Sequence, residues 1–195
     1  MNRTAPRARR TALAVVASMA LVVSLGSCSG GSGSDEDEPS RAGSSEGGSP
    51  GIRTTATIGK VTGKLDRRQR TPLRKKVTAT FDSWVDAAYL SGDGADPFAG
   101  FIKDAARLAK KDQAQMSNAA LGNRVDSVTA RKRELSIEVL ADRGRPAGVT
   151  GRFVLVLELD GQVTRTDRIV GRLFLRRGHG GWKVFGYEVK RGTVA

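Results

Sequence analysis

Apolar positions recur along the chain with periods that predict helices first and strands afterwards. Within residues 52–65 they are few and are interrupted by Gly59 and Gly63, which favours an edge strand or an extended arm. Thr71 and Pro72 suit an N-cap and a first helical position, and an apolar face at helical spacing follows them. That face consists of Leu73, Val77, Phe81, Trp84, Val85 and Ala88.

Two further helices are predicted between this face and the strands. Asp96 and Pro97 suit the start of the second helix, whose buried stripe reaches Ala109. The third helix is weaker and covers residues 112–121, with Gly122 as its stop.

After Gly122 the period of the apolar positions becomes alternating, which predicts β-strands. Strands are expected around residues 135–141, 153–159, 169–175 and 182–189, with turns at 142–146, 160–161 and 178–181. Helices followed by a strand meander predict an α+β fold. We expect N-terminal helices packed on a curved antiparallel sheet of about four to five strands.

The second face of this sheet is only partly polar. Its apolar members are Val154, Val156, Val170 and Phe174, and Arg152, Arg172 and Arg176 lie beside them. A half-apolar outer face is often an interface, so a homodimer through this face is one expected arrangement. The alternative is a set of scattered surface valines.

Residues 1–27 have the order of parts of a secretory signal peptide. A basic head is followed by an apolar run over residues 11–25, which is shorter than the roughly 20 residues of a spanning helix. The run closes on Leu25, Gly26, Ser27 and Cys28, and this ending resembles the bacterial lipobox. The resemblance implies cleavage between Ser27 and Cys28, diacylglycerol on the Cys28 thiol, and a place on the outer face of the cell membrane. Arg9 and Arg10 leave a twin-arginine export route open beside the general one.

Residues 28–54 are rich in Gly, Ser, Pro and acidic side chains and predict a disordered linker, whereas residues 55–195 predict one folded domain. Six of the 33 basic residues and five of the 20 acidic ones precede Thr55, which leaves 27 basic and 15 acidic residues in the domain. A net charge of +12 there indicates an anionic binding partner. The alternative is that the charge only keeps the domain soluble.

Export argues against nucleic acid as this partner, so anionic lipid headgroups and anionic wall polymers are the candidates. The predicted binding cluster is Arg67, Arg68, Arg70, Arg74, Lys75 and Lys76. The acidic linker run at residues 35–38 has two interpretations, a plain spacer or a segment that folds back on the basic domain and competes with anionic ligands.

The chain offers little material for catalysis. His179 is the only histidine and lies in a glycine turn, and Cys28 is the only cysteine, so zinc sites, disulfides and nucleophile–histidine pairs are not expected. Asp82 and Asp86 share a helix face opposite the apolar stripe, so we expect them to be solvated, with pairing to nearby Lys and Arg as a second option. Glu138, Glu158 and Glu188 lie on strands that also carry arginines, which favours ion pairs over a catalytic pair of carboxylates. We therefore expect no enzyme, no cofactor and no metal.

The end of the chain carries a family resemblance. Its last strand reads Gly181, Trp182, Lys183, Val184, Phe185, Gly186, Tyr187, Glu188 and Val189. Together with the long first helix that holds Phe81 and Trp84, residues 71–189 resemble the nuclear transport factor 2-like cone fold, also called SnoaL-like or cystatin-like. The stretch is similar to Mce-associated proteins of Gram-positive bacteria and to an N-terminal domain of some penicillin-binding proteins.

The resemblance implies a non-catalytic binding or scaffolding module. Its partner would be an envelope protein, a hydrophobic ligand in the cone, or an anionic surface. One alternative is a small dehydratase-like or isomerase-like enzyme that uses carboxylates. Another is an electrostatic tether to anionic lipid or wall polymer.

Overall fold

A computed structural model describes residues 52–91 and 94–194. The predicted signal peptide, the cleavage site between Ser27 and Cys28, and most of the linker lie outside the described residues. All of the helices and strands below belong to the part of the chain that follows residue 51.

Five strands form one mixed sheet in the order β1-β2-β3-β4-β5. They are β1 (Thr55–Thr62), β2 (Val125–Asp142), β3 (Arg145–Gly161), β4 (Arg165–Gly178) and β5 (Gly181–Val194). β2 to β5 form the expected antiparallel meander, but β1 pairs with β2 in the parallel direction. The expectation of an antiparallel sheet is therefore corrected at this edge. The helices between β1 and β2 carry the chain back across the sheet, and such a crossover makes the two strands parallel.

The first helix, α1 (Arg67–Val85), begins five residues earlier than predicted, with Asp66 rather than Thr71 as its N-cap, and a π-helical turn (Asp86–Leu90) continues it. The residues ahead of Thr71 are good helix formers, and the backbone N–H of Gln69 bonds to the Asp66 carbonyl at 2.9 Å. Pro72 consequently lies inside the helix, where it removes one backbone donor. The extension places Arg67, Arg68 and Arg70 on the helix surface.

The second predicted helix starts late. α2 spans Lys103–Lys111, because residues 100–102 pair with β5 instead: the Ile102 N–H bonds to the Val184 carbonyl at 2.9 Å, and the Val184 N–H to the Gly100 carbonyl at 3.0 Å. The third predicted helix is broken into α3 (Gln113–Met116) and a 3₁₀ segment (Ala119–Arg124), and the latter is interrupted at Gly122, where φ is 53°. Between them, Asn118 donates hydrogen bonds to the carbonyls of Ala88 and Tyr89 in the π-helical turn that follows α1.

Two of the expected turns differ in detail. The β2–β3 turn is a tight one at Arg143 and Gly144, whose φ angles are 47° and 79°. The remaining turn, between β4 and β5, does not differ: it lies at residues 179–180, within the predicted range. β3 continues through Gly161, so the β3–β4 connection covers residues 162–164 rather than Asp160 and Gly161.

Aromatic side chains fill the space between the helices and the sheet. The Trp84 ring lies 5.3 Å from Phe153, 5.6 Å from Tyr89 and 6.0 Å from Phe81, centroid to centroid. Its indole N–H donates to the Met116 carbonyl at 3.2 Å, which ties α1 to α3. All five residues are buried, so α1 is fixed across the inner face of the sheet by a packed core.

Candidate functional site

Three separate segments meet at one end of the sheet. The Asp66 N–H at the start of α1 bonds to the Gly144 carbonyl in the β2–β3 turn at 3.1 Å. Gly148 near the start of β3 pairs with Arg176 near the end of β4, which brings the β4–β5 turn to the same end. The start of α1 and both turns are therefore neighbours.

This end of the domain carries a concentration of exposed cations, and we call it the basic end. Its exposed members are Lys64, Arg67, Arg68, Arg70, Arg74, Lys75, Lys76, Arg143, Arg145, Arg176 and Arg177. The carboxylates of these segments are Asp66 and Asp142, and Asp66 lies 3.8 Å from Arg68. The positive charge at this end is therefore largely uncompensated.

The six cations that the sequence singled out all lie on α1 and are exposed. Leu73 and Val77 lie on the buried face of the helix, and the six cations occupy its other sides. The four arginines from the two turns were not assigned to this cluster, and Arg176 was placed only on the outer face of the sheet. Each turn was predicted, but only the pairing of β3 with β4 and the contact between Asp66 and Gly144 bring those turns to α1.

A cleft of about 250 Å³ opens between α1 and the β4–β5 turn. Gln69, Pro72 and Lys76 line it from the helix, and Arg177 and Trp182 line it from the strands. The Arg177 guanidinium carbon lies 5.9 Å from the centroid of the Trp182 ring. Of the described residues that line the cleft, none is a carboxylate.

A second cleft of about 520 Å³ adjoins the first, since Lys76 and Trp182 line both. Lys183 also borders the second cleft, and its Nζ donates to the Ala99 carbonyl at 2.9 Å. Trp182 itself is buried, so it forms a fixed wall that both clefts share.

The carboxylates that the sequence offered for acid–base chemistry are held in ion pairs. Asp82 and Asp86 each lie 2.8 Å from a nitrogen of the buried Arg133, and Thr54 donates to Asp82 as well. On the strands, the pairs are Glu138 with Arg152 at 2.7 Å, Glu158 with Arg131 at 2.7 Å, and Glu188 with Arg172. The three glutamate pairs match the ion pairs expected on the strands, whereas Asp82 and Asp86 contact a buried arginine of the sheet instead of being fully solvated.

A buried charge network was missed from the sequence. Asp167 accepts from Arg191 Nε at 2.7 Å and from Arg165 Nη2 at 3.2 Å. Arg191 also donates to the Ser117 carbonyl at 3.0 Å and to Asn118 Oδ1 at 2.7 Å. The signal was available, because Asp167 shares the inward phase of Ile169, Leu173 and Leu175 on β4. The network joins β4 and β5 to the helical segment, which gives it a structural role.

The two tyrosines keep their protons at neutral pH. Burial raises the pKa of Tyr89, although the nearby Arg191 guanidinium partly lowers it, and the hydroxyl donates to the Gln115 carbonyl at 2.6 Å. Burial also raises the pKa of Tyr187, and donation to Asp112 at 2.6 Å raises it further. Neither hydroxyl is therefore poised to act as a base.

The outer face of the sheet carries an apolar patch near the basic end. Leu140 and Phe185 are 57% and 48% exposed, and Phe174 lies beside Phe185 with the ring centroids 6.3 Å apart. Phe185 has no partner in the β4–β5 register, which passes from Phe174 opposite Gly186 to Leu175 opposite Val184. The predicted members Val154, Val156, Val170 and Phe174 are half-buried.

Over residues 52–91 and 94–194, no group of three His, Cys, Asp or Glu side chains is placed to hold a metal ion. None of the helices described there is long and apolar enough to cross a membrane. Comparison with protein-family models, curated proteins and solved structures finds no match for this chain.

Proposed function

We propose that this protein is a non-catalytic binding module, held on the outer face of the cell membrane by lipid on Cys28, whose basic end binds anionic lipid headgroups of that membrane. The observation that carries the proposal is the meeting of α1 with the β2–β3 and β4–β5 turns, which gathers eleven exposed cations around two carboxylates. The α+β domain would be a variant of the cone fold, with α1 laid across long strands.

The expected strength of this binding follows from the charges. A Lys or Arg near an anionic membrane surface contributes about 1 kcal/mol, and the attraction falls off over a Debye length of about 8 Å at physiological salt. If four or five cations of the basic end reach that layer together, they supply roughly 4–5 kcal/mol. Such binding is weak for a free protein in solution.

The proposed anchor turns this weak binding into a useful one. The residues between Cys28 and the domain, about 25 in number, give a flexible linker a typical reach of roughly 25–30 Å. The domain then stays close to the headgroups, and a short flexible tether corresponds to a millimolar effective concentration. The same geometry favours the anchoring membrane over a more distant wall polymer.

Three observations support a non-catalytic role. The carboxylates named for acid–base work are engaged by Arg133, Arg152, Arg131 and Arg172. The pKa values of Tyr89 and Tyr187 are raised. Trp84 and its aromatic neighbours are buried and pack the space between α1 and the sheet.

Vesicle flotation tests the proposal. The chain from residue 28 onward, carrying Cys28→Ser so that no lipid is attached, is mixed with vesicles of phosphatidylcholine alone or with added phosphatidylglycerol. Wild type should float only with the anionic vesicles, and high salt should release it. The variant R70Q/R74Q/K75Q should bind at least tenfold more weakly, since about 1 kcal/mol is lost for each cation that faces the membrane.

The matched control removes three exposed cations away from the basic end. R124Q/R168Q/K190Q changes the net charge by the same amount, and all three side chains are exposed. Its binding should stay close to that of wild type. Equal weakening by both variants would show that binding depends on net charge alone and not on the basic end. Vesicle binding that survives high salt would contradict an electrostatic site. Binding to poly(glycerol phosphate) but not to vesicles would assign the basic end to a wall polymer instead.

A further inference from the structure

We infer that the cleft between α1 and the β4–β5 turn is a phosphate-ester subsite within the basic end, with Lys76 and Arg177 as the groups that bind the anion and Trp182 as a fixed wall. This inference rests on the proposed function, and it adds a defined site for one headgroup to a surface that otherwise acts through its charge.

The two cations reach the cleft for separate reasons. On α1, Gln69, Pro72 and Lys76 follow one another at spacings of three and four residues, so they lie along the same side of the helix. On the sheet, Arg177 and Trp182 are paired residues of β4 and β5, so their side chains leave the sheet on the same face. The cleft forms where these two rows meet.

The charge in the cleft is available to a ligand. Arg131, Arg152 and Arg172 each have a glutamate partner, whereas no carboxylate in the described part of the chain lies within ion-pair distance of Lys76 or Arg177. The Trp182 ring holds the guanidinium of Arg177 by a cation–π contact. This contact orients the planar donors in advance, which lowers the entropy lost when an anion binds.

Size and donor geometry identify the chemistry of the ligand. A volume of about 250 Å³ is below the range of roughly 300–1,000 Å³ that is usual for drug-sized ligands, so it suits a headgroup rather than an acyl chain. A guanidinium matches the oxygens of a phosphate in bidentate fashion, and a lysine ammonium adds a point charge. Gln69 offers a neutral amide at the rim for a hydroxyl of the ester.

Tryptophan fluorescence reports on the site directly. Only Trp84 and Trp182 are present, and Trp84 is sealed in the core while Trp182 borders the cleft. The full chain in neutral detergent micelles is titrated with glycerophosphoglycerol, the phosphatidylglycerol headgroup without acyl chains, and with inorganic phosphate. A saturable change with glycerophosphoglycerol is expected, and it should disappear in Trp182→Phe.

Two double variants with equal charge separate the subsite from the general field. K76Q/R177Q should weaken the binding of glycerophosphoglycerol by about tenfold or more, because two charge-assisted contacts are lost. R70Q/R74Q, which removes two exposed cations of α1 outside the cleft, should weaken it by no more than about twofold to threefold. Arg177→Lys keeps the charge but loses the planar guanidinium donors that bind a phosphate in bidentate fashion, so it should retain only part of the affinity. Circular dichroism checks that each variant is folded.

The outcomes distinguish this inference from the proposed function. If wild type binds phosphatidylglycerol vesicles but shows no saturable binding of glycerophosphoglycerol, the subsite is overturned and the charged surface stands. Equal losses in K76Q/R177Q and R70Q/R74Q overturn it as well. If glycerophosphoglycerol binds but neither vesicles nor mixed micelles with phosphatidylglycerol do, the subsite is supported and the proposed binding to the membrane surface is overturned. Tighter binding of poly(glycerol phosphate) than of such micelles would make a polymer the source of the ester.

Discussion

Replacing Asp167 with asparagine should lower the free energy of unfolding by about 3–5 kcal/mol, although the two side chains have nearly the same shape. The Asp167 side chain is 1% exposed and that of Arg191, whose Nε lies 2.7 Å away, is 7% exposed. The substitution therefore leaves a buried guanidinium with only neutral acceptors, the Ser117 carbonyl and Asn118 Oδ1. Uncompensated buried charge is the costly part, since asparagine opens no cavity.

The matched control is Glu158→Gln, which breaks an ion pair of similar length at the surface. Glu158 and Arg131 lie 2.7 Å apart, but their side chains are 45% and 58% exposed. Exposed pairs contribute about 0–1 kcal/mol, so this variant should change stability by no more than that. Urea unfolding followed by circular dichroism measures both values, and melting should show a fall of roughly 10–20 °C for Asp167→Asn.

A double-mutant cycle completes the test. Asp167→Asn combined with Arg191→Gln should cost less than the sum of the two single changes by at least about 1 kcal/mol, since the second substitution removes the charge that the first one stranded. Equal effects of Asp167→Asn and Glu158→Gln, or strict additivity in the cycle, would refute the view that this network holds β4 and β5 to the helical segment.

Three further predictions concern other parts of the chain. Because the pKa values of both Tyr89 and Tyr187 are raised, their contribution to stability is complete below the unfolded pKa of about 10 and is lost as the pH rises above it. Spectrophotometric titration should therefore find little tyrosinate at about pH 11 in the native chain and nearly full ionisation in urea. A native midpoint of about 10 would contradict this prediction. We expect the outer face to carry a homodimer, so light scattering should give a dimer mass for wild type and a monomer mass for Phe185→Ser; a wild-type monomer at high concentration would count against that interface. Mass spectrometry of the chain from its native membrane should find a new N-terminus at Cys28 with diacylglycerol on its sulfur, and an unmodified thiol or a retained leader would remove the anchor from the account.

The α+β class could be predicted because both periods are local properties of the sequence. Leu73, Val77 and Phe81 form the buried face of α1, and the alternation that predicted β3 and β4 places Leu155 and Leu173 in the core. The direction of β1 could not be predicted, because it depends on pairing across the whole helical segment.

The late start of α2 has a similar cause. Phe98 and Phe101 fit a helical stripe and are buried, yet the backbone of residues 100–102 makes hydrogen bonds with Val184 on β5. A partner more than 80 residues away along the chain thus decides the local conformation. Periodicity reports which side chains are buried, and here it could not report the path of the backbone between them.

Only part of the candidate site could be predicted, because the rest depends on contacts between distant parts of the chain. The cations of α1 are a run in the sequence and could be found by inspection, whereas Arg143 and Arg177 lie far from them along the chain. Only the contact of Asp66 with Gly144 and the pairing of β3 with β4 make them neighbours. The cleft beside Trp182 depends on that arrangement, so no sequence signal pointed to it.

Hydrogen–deuterium exchange of the intact chain in bilayer nanodiscs tests the central claim most directly, because it locates the membrane contact without any substitution. Replacing phosphatidylcholine by a mixture with phosphatidylglycerol should protect peptides from residues 64–76 and the two turns at 143–145 and 176–182. Peptides from the β3–β4 connection at 162–164 should not change. Protection confined to the outer face of the sheet, or no dependence on the anionic lipid, would contradict the assignment of the basic end to the membrane.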